Sequence, residues 1–90
     1  MNNEKLQNLL EQLHQELKEI ENVDEKDLEM LKTIETNISG VLSRLEKGQP
    51  INHPSLLQQL EDSVDHFEVT HPTLSATLSK LLAILGNAGI

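Results

Sequence analysis

Val23-Asp24-Glu25-Lys26-Asp27-Leu28 reads as the opening of a helix set hard against the end of another. Asp24 suits an N-cap, because a carboxylate there accepts bonds from the free N–H groups of the first turn. Val23 and Leu28 take the N′ and N4 positions of a hydrophobic staple. Asp24, Glu25 and Asp27 place negative charge where the helix dipole is positive. One helix therefore ends near Asn22 and the next begins at Glu25, forming a helical hairpin.

The segments on either side carry helical periodicity. Leu6, Leu10, Leu13, Leu17 and Ile20 are spaced 4, 3, 4, 3 and form a seam that Leu9 widens. No Gly or Pro interrupts this stretch, and about 20 residues give a rod of ~30 Å. The second segment places Leu28, Leu31, Ile34, Ile38, Val41, Leu42 and Leu45 on a broader stripe, as for a helix with more than one neighbour. Arg44 and Lys47 suit its last turn and Gly48 its C′ position. Gly40 either permits a close helix crossing or is simply tolerated, at a cost of roughly 1 kcal/mol relative to Ala.

Beyond Gln49-Pro50 the aliphatic–cap–leucine arrangement recurs. It appears in Ile51-Asn52-His53-Pro54-Ser55-Leu56, in Val69-Thr70-His71-Pro72-Thr73-Leu74, and loosely in Met1-Asn2 through Leu6. Asn52 and Thr70 serve as caps in one register, Ser55 and Thr73 in the other. The third helix presents Leu56, Leu57, Leu60, Val64 and Phe67; the fourth presents Leu74, Leu78, Leu81, Leu82 and Leu85. They meet either at a corner or as one rod kinked at Pro72, and the caps favour the corner. The sequence thus predicts a single all-α domain over 1–90. Its helices fall at about 3–22, 25–47, 53–68 and 71–85, a long hairpin plus two shorter helices joined at a His-Pro corner.

Composition narrows the function. Ninety residues make one small core. A net charge of −8 argues against nucleic acid, which needs Lys and Arg on phosphates, and against anionic membranes. Phe67 is the only aromatic, so stacking platforms for single strands are lacking. The absence of cysteine excludes disulfides and thiolate metal sites, and agrees with a cytoplasmic setting. The polar start Met1-Asn2-Asn3-Glu4-Lys5 has no apolar leader behind it, and no apolar run reaches the ~20 residues of a membrane span.

Phe67-Glu68-Val69-Thr70-His71-Pro72-Thr73-Leu74, the ending Asn87-Ala88-Gly89-Ile90 and the acidic leucine-rich start together resemble a family of bacterial proteins of about this length. That family is characterised only as a domain of unknown function. The resemblance implies a bacterial origin and an all-helical fold, and it supplies no activity or site residue.

Few chemical motifs stand out. Glu11-x-x-His14 has the spacing of a di-metal bundle ligand pair. A second copy on a continuous helix is missing, and the Leu6–Leu17 seam puts both residues off the inward face. Glu68-x-x-His71 matches only in letters, because Thr70 and Pro72 break the helix between its members. His66 and His71 flank the corner, where they read as exposed residues or as a pH-sensitive pair. Asp62 is the i,i+4 neighbour of His66. Phe67 reads as a filler of the elbow.

No catalytic residue, metal site or cofactor follows. The expectation is a non-enzymatic interaction or oligomerisation module, most simply a homodimer, with another protein as the other possible partner. Leu6, Leu10, Leu13 and Leu17, with Leu78, Leu81 and Leu85, form either its contact surface or the core of one chain; the fourth helix docks accordingly in trans or in cis. An acidic regulator of a basic protein is the first alternative, and a metal-dependent bundle enzyme built on Glu11 and His14 the remote one.

Overall fold

The computed structural model describes residues 3–49 and 54–87. Four helices account for most of them: α1 (Asn3–Glu19), α2 (Glu25–Glu46), α3 (Pro54–Phe67) and α4 (Pro72–Asn87), with no strand among the described residues. The expected cap and staple at 51–53, the one at Met1-Asn2 and the Ala88-Gly89-Ile90 ending lie outside them.

Each helix packs on two others. α1 touches α2 and α4, α3 touches α2 and α4, and the diagonal pairs do not meet. Cross-helix bonds pair residue 14 with 35, 37 with 59, 27 with 66, and 12 with 77, so neighbours run antiparallel. The result is a closed up-down-up-down ring about 39 Å long. Both the 20–24 link and the 68–71 turn lie at one end, here called the corner end.

The buried residues repeat at 3–4 spacing: Leu6, Leu9 and Leu13 from α1; Leu31, Ile34, Ile38 and Val41 from α2; Leu56, Leu60, Ser63 and Phe67 from α3; Leu74, Leu78, Leu81 and Leu85 from α4. The α1 seam thus runs through Leu9 and not, as expected, through Leu10 and Leu17, which are half-buried beside the core. The expected contact leucines separate accordingly. Leu6, Leu13, Leu78, Leu81 and Leu85 are wholly inaccessible within this one chain, so they are core and present no surface. The fourth helix packs in cis.

Helix ends show why the boundaries fall where they do. α1 stops at Glu19, three residues before the expected Asn22. Asn22 itself adopts φ 59°, a left-handed turn that asparagine tolerates better than most residues. Asp24 is the N-cap of α2 by backbone, with φ −61° and ψ 146° and its carbonyl accepting from Leu28 N–H at 2.9 Å. Its carboxylate makes no capping bond, contrary to expectation, and acts only as charge near the dipole. Val23 and Leu28 are each half-buried, outside the main core.

The end of α2 is a Schellman motif. Gly48 stands at φ 69°, its N–H bonded to Leu45 O at 3.2 Å, while Gln49 N–H bonds Arg44 O at 2.9 Å. Gly40 is exposed, and a Cβ there would meet nothing within 4 Å. It is tolerated; no helix crosses it.

These two glycines give opposite expectations. Gly40→Ala raises stability by about 0.5–1 kcal/mol, because it relieves backbone entropy in an open helical site. Gly48→Ala lowers stability by about 1 kcal/mol, because alanine is strained at that φ. Urea unfolding midpoints of the two variants check both signs.

Candidate functional site: the polar layer at the corner end

Continuing each inward repeat toward the corner end changes its chemistry. α1 goes from Leu13 to Glu16 and Ile20, α2 from Leu31 back to Asp27, and α4 from Leu74 back to His71, while α3 ends on Phe67. The corner end of the core therefore carries two carboxylates and an imidazole, with Asp27 and His71 lining the same cleft as the buried Phe67 ring. Glu16, Asp27 and His71 are each half-buried, whereas Phe67 is 1% exposed.

The corner itself is a single-residue joint. His71 N–H bonds back to Phe67 O at 2.9 Å, and His71 O accepts Ser75 N–H at 3.0 Å. His71 closes α3 and opens α4, so the chain turns a corner there and is not one kinked rod. Pro72 follows as the first helical residue, where its missing N–H costs nothing. This register differs from both expected ones, which placed the cap at Thr70 or Thr73. Val69 consequently falls outside any staple and is 89% exposed. The Ser75 hydroxyl donates to Val64 O at 2.8 Å, tying the two helices one turn further in.

His66 Nε2 lies 3.1 Å from Asp27 Oδ2, joining the end of α3 to the first turn of α2. Asp62, its sequence neighbour, instead accepts from Gln58 at 2.9 Å. The His66 ring meets Phe67 edge-on, with centroids 4.8 Å apart, and His71 lies 5.9 Å from Phe67 on a tilt. Asn22, Asp27, His66, Phe67, Thr70 and His71 help line a cleft of about 250 Å³. A second cavity of about 280 Å³ lies across the turn, between Glu16, Glu19, Ile20 and the start of α4.

Between α1 and α4 sits a smaller network. The Thr77 hydroxyl donates to Glu16 Oε2 at 2.7 Å and accepts from Gln12 Nε2 at 3.1 Å; Gln12 Nε2 also reaches Glu16 Oε2 at 3.0 Å. Thr77 is buried, and Glu16 Oε1 is buried without a hydrogen-bond partner. A desolvated oxygen left unpaired weakens the packing of this seam.

Glu11 and His14 are both exposed on α1, and His14 Nδ1 lies 2.5 Å from Glu35 Oε1 on α2. His14 thus joins two helices. Among the described residues no group of three His, Asp or Glu side chains is placed to hold a metal ion. The break expected between Glu68 and His71 is present, as Glu68 lies beyond α3 and His71 precedes α4. No helix of the described residues is long and apolar enough to cross a membrane.

The polar layer was missed because the Leu10–Leu17 seam hid it. Extending Leu6, Leu9 and Leu13 by a further three residues reaches Glu16, and that step was the available signal. For Thr77 and Ser75 no comparable pattern exists in the sequence.

Residues 6–90 match the model of a family described as Domain of unknown function (DUF4404). The chain belongs to this family. Its description assigns no activity to the fold, in keeping with the resemblance carried by the His-Pro element. No curated protein and no solved structure matches the chain significantly.

Thr77→Val keeps the shape and removes the hydroxyl that joins Gln12 to Glu16. It is expected to cost about 1–2 kcal/mol, while Thr77→Ser loses less than half of that. Phe67→Ala, which empties the centre of the polar layer, should cost about 3–5 kcal/mol. His66→Ala falls within about 1 kcal/mol, because the pair it breaks is half-exposed. Equilibrium denaturation of the three sites, read as an ordered series, checks the assignment.

Proposed function

We propose that the chain is a non-enzymatic protein-interaction module that works by self-association, in its simplest form a homodimer. The observation that carries this reading is a groove of about 480 Å³ between α1 and α4. Leu9, Ala83 and Ile84 give it apolar walls, and Lys5 and Lys80 are the charged residues on it. No aspartate or glutamate lines it, although the chain has fifteen. An apolar cleft edged by the minority charge is a recognition surface of the kind that protein contacts use. The half-exposed histidines support the same reading, since His14 and His66 each bond a carboxylate on a neighbouring helix and so serve the architecture.

A second reading, an acidic regulator of a basic partner, draws on exposed Glu61, Asp62, Asp65 and Glu68 along and just beyond α3. Such a contact weakens steeply with salt.

Sedimentation or light scattering over a wide concentration series tests the main reading. The expected outcome is a mass that climbs from one chain toward two. A mass fixed at one chain across the whole series counts against it.

A further inference from the structure

We propose that the α1–α4 groove receives an amphipathic helix of another protein, one that carries aspartate or glutamate on both flanks of its apolar row. This rests on the interaction-module reading and adds to it a partner other than the chain itself.

Charge selects the partner. Lys5 stands on the α1 wall and Lys80 on the α4 wall, both exposed, and no other charged residue lines the groove. The chain has seven Lys and Arg against fifteen Asp and Glu, so a groove charged by lysine alone departs from the balance of the whole. α4 brings no acid to it, since every Asp and Glu of the chain precedes Pro72. Glu4 and Glu11 are exposed on α1 but lie outside the lining. A partner with carboxylates meets opposite charge on both walls, whereas a basic partner is repelled by both. The net charge of −8 opposes an acidic partner at long range. Screening cuts that reach to about 8 Å at physiological salt, and the charges within the groove are the lysines.

Shape selects a helix. The lining runs over residues 5–12 of α1 and 80–87 of α4, a length of about 10 Å at the helical rise. That is the distance over which a bound helix sets its i, i+3, i+4 and i+7 anchors. Leu9, Ala83 and Ile84 supply the apolar surface for them. Gln12 bonds Thr77 across antiparallel walls, which sets Leu9 level with Lys80 and Lys5 level with Ile84. The two lysines are therefore about 6 Å apart along the groove, close to one helical turn. Acids one turn apart on opposite flanks of the partner's apolar row reach both. An extended peptide finds no sheet edge to join, because no strand occurs among the described residues.

The test is fluorescence anisotropy of a labelled synthetic peptide titrated with the full chain. The peptide is a helix of about 15 residues, with leucine at the anchor positions and glutamate on both flanks. The expected result is saturable one-to-one binding, lost when the same residues are scrambled so that the apolar row is broken. Lys5→Glu and Lys80→Glu are each expected to weaken it about tenfold or more. Lys32→Glu makes the same charge change at an exposed position of α2 and is expected to stay within about twofold of the parent. Unchanged helical circular dichroism confirms that each variant folds. Absence of binding, equal binding of the scrambled peptide, or equal weakening by Lys32→Glu overturns the proposal. Sedimentation of the same samples separates it from self-association. A chain that dimerises and leaves the glutamate peptide unbound overturns the acidic partner alone. A chain that stays monomeric and binds the peptide overturns self-association alone.

Discussion

Four amphipathic helices of 14 to 22 residues draw most of their stability from packing, and what holds them is the simultaneous removal of one aliphatic row per helix from solvent. A ring of four meets that constraint with each helix touching two others. Two of its four seams join consecutive helices through links of only a few residues, so the α1–α2 and α3–α4 hairpins form locally. The α1–α4 seam has no such tether. It joins the two ends of the chain, and the Gln12–Thr77–Glu16 network and two of the grooves lie along it.

The sequence was most informative where hydrophobic spacing and backbone chemistry agree. The hairpin at Val23–Leu28, the Gly48 terminus and the turn before Pro72 each combine a periodic row with a residue suited to a special backbone state. Four helices could be counted from these features alone. The end of α1 was harder, because Ile20 continues the apolar period while Asn22 takes a left-handed conformation that periodicity does not encode. Asp24 shows a different failure: its position as cap was legible, whereas the orientation of its carboxylate was not.

The candidate site was far less legible. A seam of 4, 3, 4, 3 through Leu10 and Leu17 and a seam of 3, 4, 3, 4 through Leu9 and Glu16 fit the same helix. Choosing the all-leucine version follows the usual preference for apolar cores, and it concealed the carboxylate. His66 bonds a residue 39 positions away in the chain, which its i,i+4 neighbour Asp62 gives no hint of. In both cases the deciding fact is which helix lies alongside, a tertiary property that spacing within one helix does not carry. The balance of charge was visible throughout, yet its absence from the last helix matters only once that helix is known to present an outer face.

Glu16 has a consequence for alignment. Leucine rows are nearly interchangeable along their length, so two of them can slide by one heptad and still bury similar area. Moving α1 by that step would carry a carboxylate in among aliphatic neighbours and leave the Thr77 hydroxyl facing hydrocarbon. Burying that carboxylate among aliphatic side chains without its Thr77 and Gln12 partners costs more than holding it half-buried beside them, so Glu16 favours the observed pairing of the first and last helices over that shifted copy.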